Sequence, residues 1–271
     1  MKVAFQGEPG AFSEEASTSI FISPETVPCE TFEDVFRAVT SGICEYGLIP
    51  IENSLAGSIH QNYDLLLQYK LFITGEFFLR VKHCLIGFPG VKKTELRKVI
   101  SHPQALSQCA AYLKGLGVKT EPVYDTAGSV KMLKDLGERT TAAIASKRAA
   151  EIYGMQILQE EIEDNPENYT RFLVIAPAPV TPSDETKTSI VFILKNQPGA
   201  LFKALSVFAL REIDLTKIES RPLAGKPWEY LFYIDFIGSV GEERVKKALD
   251  HLGEYALMLR VFGSYARASI G

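Results

Sequence analysis

Four strand-to-helix junctions in the first part of the chain carry groups that could bind a small anion. Each consists of small hydroxyls, amides or glycines directly after an apolar, strand-like segment. The junctions are Gly7–Ser13, Glu52–Ser58, Ser101–Gln108 and Ser146. A helix start offers free N–H groups and the positive end of the helix dipole, so it binds carboxylates or phosphates without lysine. Ligands of parallel α/β sheets bind beyond the carboxyl ends of the strands, and the four junctions together therefore predict an anion site.

Each junction taken alone has an ordinary structural explanation. Serine and asparagine are preferred helix N-caps in any protein, and Pro103 suits a first helical turn. Gln104 and Gln108 lie one turn apart on one helix face, which fits a solvated face equally well. The hypothesis of an anion site therefore depends on the four junctions occurring together.

A threonine and an arginine at the start of a later strand are further candidates. Thr170 and Arg171 follow the polar loop 163–169. The planar guanidinium of arginine binds a carboxylate through two parallel hydrogen bonds. Threonine is common in strands because it packs well there, so residue type alone assigns Thr170 no role.

The elements that must position these residues follow a regular order. Short strands alternate with amphipathic helices as far as residue 176, which indicates mostly parallel sheets covered by helices. One continuous helix is predicted over Pro103–Leu113. The segment 176–186 contains three prolines and reads as a linker. Beyond it, the order βαββαβ is that of a ferredoxin-like domain. We expect domains over 1–180 and 187–271.

Composition excludes several classes of protein. The net charge is −4, and without a basic stripe a nucleic-acid-binding role is not expected. No apolar run approaches the ~20 residues of a membrane span, and the first residues resemble neither a signal peptide nor a transit peptide. The four cysteines and four histidines lack metal-ligand spacing, which favours free thiols in a reducing compartment. We therefore expect a cytoplasmic protein without a metal.

Six blocks of sequence occur together in one order. They are Gly7–Ser13, Pro50–Gly57, Ser101–Cys109, Asn168–Phe172, Pro198–Leu201 and Glu219–Pro222. In this order they resemble the prephenate dehydratase family of the bacterial type, which carries a C-terminal ACT regulatory domain. The fourth block is similar to the family's N-x-T-R-F signature, and the last two resemble the GAL-type and ESRP motifs of ACT domains. Ala11 stands where many members have threonine, and related arogenate dehydratases share this feature.

The resemblance implies a fold and a reaction. The fold is a two-lobed α/β catalytic domain, similar to type II periplasmic binding proteins, followed by an α+β ferredoxin-like ACT domain. The reaction is the decarboxylating dehydration of prephenate to phenylpyruvate, which needs no cofactor. Because the product ring is aromatic, the enzyme has to assist only the departing hydroxide and to avoid over-stabilising the leaving carboxylate.

The resemblance also assigns roles to residues. Thr170 would donate to the leaving hydroxyl, with Asn53, Ser101 and Gln108 as the other catalytic candidates. Arg171 would bind the side-chain carboxylate of the substrate and Phe172 would wall its ring. The remaining substrate-binding candidates are Ser13, Ser54, Gly57, Gln104 and Ser146.

The C-terminal domain is implied to bind L-phenylalanine as an inhibitor, between ACT domains of two subunits in a homodimer or homotetramer. The implied residues are Asn196, Gly199, Ala200, Leu201, Glu219, Ser220, Arg221 and Pro222. Gly199 would let the backbone approach the ligand.

Two other functions fit the same sequence. An arogenate dehydratase would act on the transaminated substrate through the same reaction, and Ala11 is compatible with it. A non-catalytic amino-acid sensor would have two lobes and an ACT domain, but it has no need for the complete Thr170-Arg171-Phe172 block. Turnover of the two purified substrates separates the three hypotheses.

Overall fold

The chain forms two compact units in a computed structural model that describes residues 1–182, 185–223, 225–226 and 229–270. The N-terminal unit consists of Met1–Tyr69 and Phe77–Leu173. The C-terminal unit consists of Lys70–Glu76 and Val174–Ile270. The segment that we expected to be a linker runs from the end of one strand at Ala176 to the start of the next at Thr186; its residues Ser183 and Asp184 lie outside the described part.

Eleven strands and seven α-helices precede that segment. The strands are β1 (Lys2–Gln6), β2 (Glu25–Cys29), β3 (Tyr46–Asn53), β4 (Gly57–Ser58), β5 (Phe72–Arg80), β6 (Cys84–Gly87), β7 (Lys98–Ser101), β8 (Lys119–Pro122), β9 (Thr141–Ala145), β10 (Gln156–Gln159) and β11 (Tyr169–Ala176). The helices are α1 (Phe12–Ile20), α2 (Phe32–Thr40), α3 (His60–Gln68), α4 (Pro103–Gln108), α5 (Ala110–Leu116), α6 (Thr126–Leu136) and α7 (Lys147–Tyr153).

The first sheet has the order β2-β1-β3-β11-β5, with β4 added to β3. Strand β1 is parallel to both β2 and β3. Helix α2 begins at Thr31, whose hydroxyl accepts from the Asp34 N–H in a capping box, and its apolar side buries Val35 and Phe36. The register places the ends of β1 and β3, and hence the first two polar junctions, in one sheet.

The second sheet has the order β10-β6-β9-β7-β8. Strand β7 is parallel to β8 and β9, whereas β6 is antiparallel to β9 and β10. The sheets are thus mixed rather than mostly parallel, as is common in α/β folds of this size. The other two junctions follow β7 and β9, so each sheet carries two of the four.

The predicted helix over Pro103–Leu113 is interrupted. Helix α4 ends at Gln108 and α5 begins at Ala110, because Cys109 has φ −117° and ψ 22°, outside the helical range. The interruption makes Gln108 the last residue of a short helix. No sequence signal such as glycine or proline marks it, which is why the spacing predicted one helix.

The C-terminal unit contains the βαββαβ order that the sequence predicts. Its elements are β12 (Thr186–Leu194), α8 (Ala200–Ala209), β13 (Leu215–Pro222), β14 (Tyr230–Ile237), α9 (Glu243–Tyr255) and β15 (Ala256–Ala266). The sheet order is β13-β14-β12-β15, and the three ladders are antiparallel. Phe192, Phe208 and Phe236 are fully buried in its core. Within the described residues, no helix is long and apolar enough to cross a membrane.

Candidate active site

Asn53 connects the end of β3 with the start of β11, where Thr170 lies. Its amide nitrogen donates to three oxygens that share its two hydrogens, the Thr170 hydroxyl at 3.0 Å, the Asn168 side chain at 2.8 Å and the Tyr169 carbonyl at 3.1 Å. Its amide oxygen accepts from the backbone N–H groups of Leu55 and Ala56, at 3.1 and 2.9 Å. The two backbone donors fix the orientation of the amide, so that its NH₂ group faces Thr170.

The hydrogen bond from Asn53 determines what the Thr170 hydroxyl can do. A hydroxyl has one hydrogen to donate and two lone pairs that accept. Because Asn53 occupies a lone pair, the hydrogen stays available, and the described residues provide no acceptor for it. The half-buried Thr170 side chain is therefore a hydrogen-bond donor oriented by its neighbour, which is the property required to stabilise a departing hydroxide.

Ser54 holds the start of β11 against the loop after β3. Its hydroxyl donates to the Glu167 carbonyl at 2.7 Å and accepts from the Tyr169 N–H at 2.9 Å. The Ser54 N–H donates to the Tyr169 carbonyl at 2.8 Å. Ser54 thus positions the strand that carries Thr170. Gly57 closes the same loop with φ +83° and pairs with Asn53 in the β3–β4 ladder.

Arg171 and Phe172 follow Thr170 in β11, and both are buried. Side chains alternate between the two faces of a strand, so Phe172 shares the face of Thr170 and Arg171 belongs to the opposite face. A role for Arg171 in binding the substrate carboxylate, and for Phe172 in walling the ring, stays a prediction.

Gln104 and Gln108 line a cavity of ≈ 370 Å³. The other lining residues are Leu55, Ala56, Ser107, Asp164 and Asn165. Leu55 and Ala56 are the residues whose N–H groups orient Asn53, so the cavity borders the loop of the Asn53–Thr170 pair. The side-chain oxygen of Gln108 lies 2.9 Å from Nε2 of His83, a residue that the sequence analysis did not select.

Ser101 and Ser146 have hydrogen bonds that involve neither Asn53 nor Thr170. The fully buried Ser101 hydroxyl donates to the Ile144 carbonyl at 2.7 Å, which joins β7 to β9. The Ser146 hydroxyl caps α7 by accepting from the Ala149 N–H and donates to the Gly10 carbonyl at 2.5 Å. The first and fourth junctions therefore meet, whereas Ser101 acts within its own sheet. Direct substrate contact by either serine stays a prediction.

A partly buried ion pair accompanies the meeting of the first and fourth junctions. Arg148, in the first turn of α7, forms two hydrogen bonds with Glu14 in the first turn of α1, at 3.0 and 3.1 Å. Glu14 also accepts from the Gly10 N–H at 2.7 Å and from the Thr26 hydroxyl at 2.9 Å. Burial opposes the charge, but these donors prevail and lower the pKa of Glu14. A positive charge is unfavourable at the start of a helix. At the start of α7, the Glu14 carboxylate offsets the charge of Arg148. Ser13, beside Glu14, is also buried.

Part of the predicted phenylalanine site surrounds a second, smaller cavity in the C-terminal unit. This cavity of ≈ 120 Å³ is lined by Leu194, Lys195, Asn196, Gln197, Ala200, Leu201, Tyr230 and Phe232. Gly199 caps α8 with φ +79° and has open space where a Cβ would stand. Ser220 and Pro222 pair with Phe232 and Tyr230 across the β13–β14 ladder. Glu219 and Arg221 lie in the same strand; the nearby Ala224, Pro227 and Trp228 are outside the described part.

These features define a class of protein: an α/β domain of two sheets with polar residues at the ends of its strands, followed by a ferredoxin-like domain. Residues 3–179 match the family model for prephenate dehydratase, and residues 188–254 match the ACT domain. The chain belongs to the prephenate dehydratase family. Its reaction type is accordingly a dehydration, that of a carbon–oxygen lyase.

Relatives from plants cover almost the whole chain. Arogenate dehydratase/prephenate dehydratase 2 of Arabidopsis thaliana, a chloroplastic protein, is 49% identical over 98% of this chain and 72% of its own length. Arogenate dehydratase 2 of Petunia hybrida is 47% identical over 98% of this chain and 71% of its own length. The names of these relatives include both substrates.

Two solved structures are similar over nearly the full length. Prephenate dehydratase from Arthrobacter aurescens, solved in complex with L-Phe, has a TM-score of 0.91 at 30% identity and covers 98% of this chain and 90% of its own. A protein described as GqqA, a novel type of quorum quenching acylase, has a TM-score of 0.93 at 36% identity and covers 99% and 98%.

Proposed function

We propose that the chain converts prephenate to phenylpyruvate, water and carbon dioxide, with Thr170 as the donor to the leaving group. The ring carboxylate leaves as CO₂, and its bonding electrons complete the aromatic ring while the C4–oxygen bond breaks. The departing hydroxide takes up one proton, which solvent supplies in the overall balance. The observation that carries the proposal is the Asn53–Thr170 hydrogen bond, because it leaves the threonine hydrogen directed to an external acceptor.

The experiment that tests this function is a comparison of the two dehydratase substrates. Purified protein is incubated with prephenate or arogenate; phenylpyruvate is followed by its absorbance in alkali and phenylalanine by chromatography. We expect a higher kcat/KM with prephenate. A kcat/KM at least tenfold higher with arogenate would identify arogenate as the substrate instead. The names of the plant relatives are compatible with that outcome. Binding of either compound without turnover would support the amino-acid sensor instead.

Hydrolysis of an acyl amide is the second candidate, because of the 36% identity to the quorum-quenching acylase. A nucleophilic threonine needs a neighbouring base that accepts its proton. At Thr170 the neighbour is the Asn53 amide, which donates. This geometry favours the dehydratase. An assay with an N-acyl homoserine lactone tests the alternative directly, and we expect no release of the acyl group.

L-Phenylalanine is the proposed inhibitor, bound in the C-terminal unit. The support is the ACT domain match, the L-Phe complex of the Arthrobacter aurescens relative and the cavity beside the start of α8. The free N–H groups of that helix start suit the carboxylate of an amino acid. We further propose a homodimer or homotetramer acting in the cytoplasm, although the plant relatives are named chloroplastic proteins.

Calorimetry with L-phenylalanine tests the regulatory site. The Gly199→Val variant should bind more weakly and resist inhibition, because a β-branched residue is strained at φ +79° and fills open space next to the cavity. Gly117→Val is the matched control, since Gly117 has φ +69° with nothing within 4 Å and belongs to the other unit. Equal inhibition of the two variants would place the inhibitor elsewhere.

A further inference from the structure

His83 is a buried histidine beside the candidate active site. It lies in the connection between β5 and β6, and only 2% of it is exposed. Its Nε2 atom is 2.9 Å from the side-chain oxygen of Gln108. Its backbone N–H donates to the Glu163 carboxylate at 2.9 Å, and its carbonyl accepts from Ile162 at 3.0 Å. The imidazole packs edge-on against Phe12, with centroids 5.4 Å apart. The two backbone hydrogen bonds hold the main chain at His83, and Gln108 and Phe12 contact the ring itself.

The surroundings of the ring determine its protonation state. Burial lowers the pKa of His83, and the Gln108 hydrogen bond and the Glu163 charge oppose this only in part. The imidazole is therefore neutral at neutral pH and carries a single N–H. Because Nε2 faces an acceptor oxygen, the hydrogen belongs on Nε2. Nδ1 has no partner among the described residues, and an unprotonated nitrogen there avoids a buried donor without an acceptor.

Gln108 is held from two directions. Its backbone carbonyl accepts from the Asp164 N–H at 2.8 Å, and Asp164 in turn accepts from the Ala111 N–H at the start of α5. Its side-chain oxygen is occupied by His83. Since Gln108 also lines the ≈ 370 Å³ cavity, the amide group that remains for the cavity is its NH₂, which is a donor only.

We propose that His83 is a positioning residue that holds the Gln108 amide with its NH₂ group toward the substrate. The ligand group that this arrangement suits is an oxygen acceptor, either a carboxylate or the hydroxyl oxygen of the dehydration substrate. His83 acts through Gln108 and makes no contact with the substrate itself. A freely rotating glutamine amide would present its oxygen to that acceptor about as readily as its nitrogen, and the hydrogen bond to His83 removes that possibility. The inference rests on the proposed function.

A double-mutant cycle tests the coupling of the two residues. His83→Phe keeps an aromatic ring against Phe12 and removes the donor; we expect kcat/KM to fall by ~10-fold or more, the scale of about 1.4 kcal/mol for one positioned hydrogen bond. In a Gln108→Ala background the same change should alter kcat/KM by less than ~2-fold. His83→Gln, which can supply an N–H near the Nε2 position, should recover part of the loss. An equal loss from His83→Phe in both backgrounds would overturn the proposal.

Controls separate positioning from folding. His251→Phe, at a half-buried histidine of α9 in the C-terminal unit, should leave kcat/KM unchanged. Thermal unfolding of each variant identifies any that does not fold, and His83→Leu, which also lacks the donor, then takes the place of His83→Phe in the cycle.

A spectroscopic measurement separates the inference from the proposed function. Nitrogen-15 NMR of the full chain should show His83 as the Nε2–H tautomer, and Gln108→Glu should raise the pKa of His83 because a carboxylate then lies beside the ring. An Nδ1–H tautomer would overturn the inference whatever the enzyme turns over. The Nε2–H tautomer in a chain that does not act on prephenate would leave the pair intact and reject the proposed function.

Discussion

At the scale of single residues, the hydroxyl of Thr170 is the group whose loss should affect turnover most. Thr170→Ala removes the donor that Asn53 orients, and we expect kcat to fall by at least ~10²-fold, the usual effect of losing a proton-transfer or oxyanion-type group. Thr170→Ser keeps a hydroxyl and should retain most of the activity. Thr120→Ala, at an exposed position of β8, is the control. Near-normal turnover of Thr170→Ala would exclude the residue from the mechanism.

Asn53 provides a second test at this scale, because its role depends on which amide group faces Thr170. Asn53→Asp keeps the acceptor for Leu55 and Ala56 but turns a carboxylate to Thr170. The threonine then donates to the carboxylate and no longer to the substrate. We expect kcat to fall by ~10-fold or more, and Asn53→Asp should cause little further loss when it is added to Thr170→Ala.

The control for this variant is Gln68→Glu, the same amide-to-carboxylate change at the exposed last residue of α3. It should leave kcat unchanged. Independent, multiplying losses from Asn53→Asp and Thr170→Ala would show that Asn53 does not act through Thr170.

At the scale of elements, the approach of the β1–α1 junction to α7 requires a glycine. Gly10 has φ +93°, and a Cβ there would lie 2.6 Å from the Cα of Ala149. Gly42 has φ +75° with open space around it. An alanine in the left-handed backbone conformation destabilises the folded protein by about 1–2 kcal/mol at either position. Only at position 10 does its Cβ also clash with a neighbour, and such overpacking typically destabilises by about 1–3 kcal/mol more.

We therefore expect Gly10→Ala to reduce the free energy of unfolding by more than Gly42→Ala does, in urea titrations of the full chain. Gly10→Ala should also lower turnover, because the Gly10 carbonyl accepts from Ser146 and its N–H donates to Glu14. Equal destabilisation by the two variants would mean that the backbone conformation alone requires glycine at position 10.

At the scale of the whole molecule, a buried ion pair joins distant parts of the sequence within the C-terminal unit. Lys187 of β12 lies 2.7 Å from Glu76 of β5, and their side chains are 7% and 0% exposed. Glu76 also accepts from the Ala268 N–H at 3.1 Å. The pair therefore links the middle of β5 to the start of β12 through buried side chains.

Removing one partner of the pair should be strongly destabilising. Glu76→Ala removes the carboxylate that lies 2.7 Å from the buried Lys187 ammonium, and we expect a loss of about 3–5 kcal/mol in the free energy of unfolding. The double variant Glu76→Leu, Lys187→Met should lose less, because no buried charge remains. Glu243→Ala, which removes an exposed pair with Lys247 in α9, should change stability by less than about 0.5 kcal/mol. A double variant as unstable as Glu76→Ala would show that the charges are not the cause.

The same pair affects how the regulatory domain can be removed. A chain that ends near Pro182 lacks Lys187 and leaves Glu76 without that partner. Loss of activity in such a truncated chain would therefore reflect stability as well as regulation. The full-length Gly199→Val variant is the cleaner test of the inhibitor site.

Much of the architecture could be predicted from local sequence. The alternation of apolar segments with amphipathic helices predicted the α/β class of the first domain but not the antiparallel ladders of its sheets. The βαββαβ order predicted the C-terminal domain, because period and turn chemistry act over a few residues. The block Asn168–Phe172 identified the strand of Thr170 by its resemblance to a signature. The break at Cys109 was missed, since no residue there has an intrinsic preference against the helix.

The tertiary structure alone decided which of these groups meet. Asn53 and Thr170 are 117 residues apart in sequence. His83 and Gln108 are also distant in sequence, and the folded chain brings their side chains into contact. Hydrogen bonding, burial and shifted pKa values depend on neighbours that are distant along the chain, whereas residue type and spacing report only near ones. The sequence by itself therefore determined the elements and the polar groups at their ends; the packing of the two sheets decided that Arg148 pairs with Glu14, that Ser101 stays inside its sheet, and that a buried histidine orients a glutamine.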